Sequence, residues 1–150
     1  MKLWATLYSV VWIVFLEFLL GTWPSPPAIV PYLHLLLGIG IVALTYNSYR
    51  LLRDTTVPAR LKRIARATFA ISILMVLLGL LLWFNVGRAW TLPLIGFTLF
   101  QAILVFHIVN ALAIITQAAA LALAYDMWED REYERSSPPG DVPPMAKPGV

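Results

Sequence analysis

The sequence predicts an all-α integral membrane protein, a bundle of four transmembrane helices, and three observations carry that prediction. Of 150 residues, 60% are hydrophobic and only 13% charged, with a mean hydropathy of +0.78. Soluble domains carry about a quarter charged residues. The charges are also clustered: stretches 30–49, 67–87 and 89–125 hold none, and 3–22 holds only Glu17. A bilayer crossing needs about 20 apolar residues, and backbone polar groups in lipid must be paired within the segment, so each stretch reads as a helix.

The first helix is expected over 3–21, closed by Gly21-Thr22-Trp23-Pro24. Its length, Glu17 and the lack of a small-x-small cleavage site before Trp23 favour a retained span over a signal peptide. Pro24, Pro26 and Pro27 stiffen the connection that follows, and Pro31 suits the first turn of a second helix over 31–52. The next connection contains Pro58, and a third helix is expected over 61–84. Trp83, Phe84 and Trp90 form an aromatic belt at its far end. The fourth apolar stretch is longer than one crossing needs. With Tyr125 and Trp128 as anchors, counting back about 20 residues puts a membrane boundary near Leu104, inside a helix read as 97–132. Residues 1–132 thus form the membrane domain. The segment 133–150, with five of the eleven prolines, reads as a disordered tail.

Charge sets the topology. The connection between the second and third helices carries Arg50, Arg53, Arg60, Lys62, Arg63 and Arg66 against Asp54, and Lys2 flanks the first helix. The other two connections carry only Arg88. Basic residues stay on the cytoplasmic side, which predicts both termini in the cytoplasm of a cell whose plasma membrane holds the chain. The basic loop would face anionic lipid. There is no cysteine, so disulfides, iron–sulfur clusters and thiolate-bound metals are excluded. No phosphate-binding glycine loop, nucleophile elbow or nucleic-acid module is present.

Within this apolar background two histidines stand out, each opening the same short pattern: His34 with Gly38 and Gly40, His107 with Ala111 and Ala113. Both fall near the outer ends of even-numbered helices, so the two halves of the chain form a faint internal repeat. An imidazole in a span is costly without a partner, and a small residue one turn along leaves room beside it for something flat. Haem held between His34 and His107 is one reading, since two neutral imidazoles from facing helices suit low-spin iron, whereas zinc or copper would need more ligands than the spans supply. Arg88 is then the candidate partner for a propionate. Structural readings stand beside these: an interfacial His34, a hydrogen-bonded His107, close helix packing at the small residues, and headgroup contact at Arg88.

Glu17, in the same membrane half, reads either as a proton relay to a site near His34 or as a snorkelling or hydrogen-bonded carboxyl. Asn110 and Gln117 share a face of the fourth helix and read as quinone or haem contacts, or as hydrogen-bonding glue between helices. Tyr46 and Asn47 read as interfacial.

The histidine placement, in Tyr32-Leu33-His34-Leu35-Leu36-Leu37-Gly38 and Val105-Phe106-His107-Ile108-Val109-Asn110-Ala111, resembles one half of a haem A synthase in its compact four-helix form. The resemblance covers 3–125. It implies that both histidines ligate haem, that the activity is hydroxylation of a haem methyl group, and that a half-length chain pairs as a homodimer. The chain departs from the family in having no glutamate just before His34 and no cysteine pair. The same placement resembles a small cytochrome b that passes electrons between quinol and a larger respiratory complex. Two cofactor-free alternatives remain: an accessory subunit of a respiratory or transport complex and, disfavoured by the scarcity of polar residues in the spans, a transporter.

Overall fold

In a computed structural model, which describes residues 3–93 and 96–136, the chain is a ring of four helices: α1 (Leu3–Gly21), α2 (Val30–Arg53), α3 (Ala59–Trp83) and α4 (Leu99–Ser136). All four are long and apolar enough to cross a membrane. Each helix packs against its two chain neighbours, and α1 closes the ring against α4. The diagonal pairs are therefore α1 with α3 and α2 with α4. One end of the bundle carries the α2–α3 connection, the start of α1 and the end of α4. The other carries the α1–α2 and α3–α4 connections.

The exposure pattern inverts that of a soluble protein. Large apolar side chains such as Trp12, Leu36, Phe106 and Leu123 point outward, while Thr6, Thr45, Ser48, Thr68 and Ser72 are buried. Lipid tails are as apolar as leucine, so small and hydroxylated residues hold the helices together by close approach and hydrogen bonds. Thr45 bonds to Ser72 across α2 and α3 at 2.9 Å, and Thr68 donates to Gln117 across α3 and α4 at 2.9 Å. Asn47 donates to Thr6 across α2 and α1 at 3.4 Å. Gln117 and Asn47 thus serve as links between helices.

The helix ends follow local chemistry. Pro31 sits in the first turn of α2, where its missing N–H costs nothing. Pro58 caps α3, which begins at Ala59, two residues before the expected start, because an N-cap residue lies outside the helix and its proline ring breaks nothing there. α3 ends at Trp83, one residue before the expected end, with Phe84 as its C-cap and Asn85 next at φ 55; the Val86 N–H reaches the Leu81 carbonyl and the Asn85 N–H the Leu82 carbonyl, which satisfies the last turn. Gly87, at φ +75, lies so close to Leu99 that a Cβ there would sit 2.6 Å from that side chain. The chain turns back through an isolated bridge between Thr91 and Thr98.

α4 starts at Leu99, two residues later than expected, because Thr98 and Gln101 form a reciprocal cap. The Thr98 N–H donates to Gln101 Oε1 at 2.8 Å, and the Gln101 N–H donates to Thr98 Oγ1 at 3.2 Å. At 38 residues α4 is roughly 57 Å long, well beyond the bilayer core. It reaches Ser136, four residues past the expected end; the remainder of the expected disordered tail, 137–150, lies outside the described residues.

The end that carries the α2–α3 connection is solid. Leu7, Leu52, Val57, Leu61, Ala65, Leu121, Ala122 and Tyr125 form its core. Tyr8 donates to Asp126, tying α1 to α4. Lys62 caps the exposed carbonyls of Arg53 and Thr55. The Arg53 guanidinium, 3.0 Å from Asp54, holds that carboxyl below its ordinary range. A second cluster, Val10, Val14, Ile41, Ile114 and Ala118, fills the middle. Above it the bundle opens.

Candidate functional site

The site is the hollow end of the bundle, a cavity of about 340 Å³ reached by residues of all four helices. Its floor is Val14, Ile41 and Ile114. Trp23 and Pro26 of the α1–α2 connection and Trp83 at the end of α3 stand at its mouth. Tyr32 and Trp83 meet edge to face, with ring centres 5.3 Å apart, bracing α2 against α3 there. The lining is almost wholly apolar, with Glu17, His34 and His107 among its few polar groups.

His34 is placed one turn into α2 by Pro31, and His107 lies two turns beyond the Thr98 cap of α4. Because α2 and α4 are diagonal, the two rings face each other across the centre. Their centres are 6.1 Å apart and their planes 62° from parallel. Gly38 and Ala111, one turn on from each histidine, also line the cavity, and a Cβ on Gly38 would meet nothing within 4 Å. Gly40 and Ala113 are not among the lining residues.

Each ring is seated against a glycine of the preceding helix. A Cβ on Gly21 would lie 3.2 Å from His34 Cε1, and one on Gly79 would lie 3.3 Å from His107 Cε1. These distances are tight enough that any larger residue would press on the imidazole. One turn before each glycine stands the residue that lies beside the histidine. Glu17 Oε2 is 2.6 Å from His34 Nδ1. At that distance the two groups are in close polar contact. The backbone of Glu17 lies beside the His34 ring and that of Met75 beside the His107 ring. Both Nδ1 atoms and Glu17 Oε1 are enclosed without an aligned partner.

The internal repeat is therefore fuller than the sequence suggested: Glu17, Gly21, His34 and Gly38 on one side match Met75, Gly79, His107 and Ala111 on the other. The sequence reading missed Gly21, Gly79 and Met75. The signal available was the shared spacing of a residue and a glycine one turn later near the end of each odd-numbered helix.

The remaining candidates lie elsewhere. Arg88 is exposed, its guanidinium over the Phe100 ring at 5.6 Å, and it is not among the lining residues. Asn110 turns back on its own helix to the Phe106 carbonyl at 2.8 Å. Gln117 lies below the cavity, bonded to Thr68.

An imidazole that carries its proton on Nδ1 presents Nε2 as its free lone pair. Two such rings offer two nitrogen donors in an apolar cleft. Among the described residues no group of three or more potential ligands could hold a bare metal ion. The fold and the site together define a class: a protein of four helices long and apolar enough to cross a membrane, with a two-histidine cavity between diagonal helices. Compared with known proteins, the chain matches no family model, no curated protein and no solved structure.

Proposed function

We propose that the cavity holds one haem between His34 and His107, and that the protein is a membrane cytochrome passing electrons near the outer face of the plasma membrane. The observation that carries this reading is the ring separation. Two imidazoles sharing one metal ion through bonds of about 2.0–2.1 Å place their centres roughly 6 Å apart, and the separation here is 6.1 Å. The donor set supports the same group: two nitrogens are too few for a bare ion but complete the coordination of an iron whose other four ligands come from a porphyrin. Gly38 and Ala111 leave space beside the rings, while Gly21 and Gly79 let their Cε1 edges come close to α1 and α3.

Haem would supply a one-electron ferric–ferrous couple. The chain's own residues do the rest. His34 and His107 would both hold the group, which would favour electron transfer over chemistry on a bound substrate. The apolar lining excludes water. The haem A synthase-like activity implied by the sequence resemblance would need one axial position to become free. Quinol and a larger respiratory complex are the electron partners of this reading, and Arg88, the only basic residue of the two connections at this end, would be the source of positive charge for a propionate. The orientation in this reading rests on the basic α2–α3 connection, which favours both termini in the cytoplasm. The chain has no cysteine, so single cysteines at Thr55 and Ser25 can test it: the first should label only from inside and the second only from outside.

Haemin titrated into detergent-purified protein tests the function. A Soret band saturating at one equivalent, with the narrow bands of a six-coordinate low-spin iron on reduction, is expected. Spectra left unchanged in both His34→Ala and His107→Ala would refute ligation by these residues.

A further inference from the structure

The two halves of the site match at the glycine seats, at the histidines and at the small residues that follow them. They differ at one chemically important position. Where α1 has Glu17, α3 has Met75, and both line the cavity. His34 Nδ1 therefore meets a carboxyl oxygen at 2.6 Å, whereas no carboxyl among the described residues stands beside His107, whose Nδ1 is enclosed without a hydrogen-bond partner.

The difference bears on ligand strength. A carboxyl oxygen that draws on the Nδ1 proton raises electron density at Nε2 and fixes the ring's orientation, and it does so more strongly than a carbonyl whose main partner is its own helix. The Glu17 side chain is 8% exposed, and its second oxygen is enclosed without a hydrogen bond, so among the described residues His34 is the close polar contact of this carboxyl. Met75 offers His107 nothing comparable.

Resting on the haem reading above, we propose that the two ligands have separate tasks: His34, braced by Glu17, is the anchoring ligand, and His107 is the exchangeable one. The His107 side of the iron is then a binding position for a small neutral diatomic molecule. That class fits the surroundings. The cavity wall is apolar, its lining includes the exposed side chains Leu104 and Ile108 of α4, and neutral diatomics partition into hydrocarbon whereas anions do not. Glu17 acts in this scheme as a positioning residue, through His34.

The test uses the full chain reconstituted with haemin, with carbon monoxide as the probe. On reduction, carbon monoxide should displace an imidazole in the unaltered protein. His107→Ala should retain haem as a five-coordinate species, bind carbon monoxide faster than the unaltered protein, and regain a six-coordinate spectrum with added imidazole. His34→Ala should lose haem under the same conditions. Glu17→Gln should lower haem affinity by about 10–100-fold and raise the midpoint potential, with helical content by circular dichroism unchanged. Equal haem loss from the two histidine variants, or a Glu17→Gln protein with unaltered affinity and potential, would overturn the assignment while leaving the two-histidine haem standing. Absence of a Soret band in the unaltered protein would remove the haem reading itself, and the assignment with it.

Discussion

The two ends of this bundle are built from the same residue types and are opposite in character. At the end with the α2–α3 connection, leucines and alanines interlock around Leu52, which is wholly enclosed, and hydroxyl and amide side chains tie neighbouring helices. At the other end the same four helices surround a void of about 340 Å³, against about 10 Å³ for the gap among Leu7, Thr45 and Leu121. Interiors pack densely because an empty space forfeits dispersion contacts on all its walls. A void of this size, with two histidines and a carboxyl on its walls, is what the proposed site rests on. The solid end lets the hollow end exist: packing there fixes four helices whose upper halves touch less.

Disturbing each end in turn sharpens that contrast. The largest effect should come from the solid end. Leu52→Ala is expected to destabilise the bundle by about 2–5 kcal/mol, read as a lower denaturation midpoint in detergent, with haemin affinity falling only as the fold is lost. At the hollow end a larger side chain should do the reverse. Gly79→Leu pushes directly on His107, and is expected to abolish the Soret band while leaving the melting temperature of the haem-free protein close to that of the unaltered chain. Haemin at a hundredfold excess over its dissociation constant would add about 2.7 kcal/mol to the unaltered protein and nothing to this variant. A comparable loss of stability in Gly79→Leu without haemin would show that the hollow end is packed after all.

Smaller effects separate local devices from global ones. Thr98→Ala removes the cap of α4 beside the site and should cost about 1 kcal/mol, seen as faster amide exchange confined to the first turn of α4. Thr68→Val breaks one interhelical hydrogen bond and should cost about 0.6 kcal/mol, detectable in unfolding but silent in haemin binding. A change in the Soret maximum in Thr68→Val would mean that the two ends are coupled.

Some of this was legible along the chain. Composition and charge clustering specify four spans, because a bilayer imposes length and apolarity residue by residue. Pro31 and Pro58 marked the starts of α2 and α3 to within two residues, since proline acts through its own ring. The start of α4 was read two residues early, because its cap is reciprocal: neither Thr98 nor Gln101 signals a boundary until the turn between them forms. His34, His107, Gly38 and Ala111 were identifiable as a set, while Asn110 and Gln117, equally conspicuous in sequence, turn to a backbone carbonyl and to Thr68.

The sequence by itself determined how many helices there are, which residues are too polar for lipid, and which histidines repeat. Those properties depend on each segment's own solvation and on local backbone geometry. Only the tertiary structure decided that α2 and α4 are diagonal, that their imidazoles stand 6.1 Å apart, that Gly21 and Gly79 seat them, and that Glu17 meets His34 while Met75 stands opposite. Those facts depend on how helices rotate against one another. That rotation is set by many weak contacts summed across four interfaces, and no single segment encodes it.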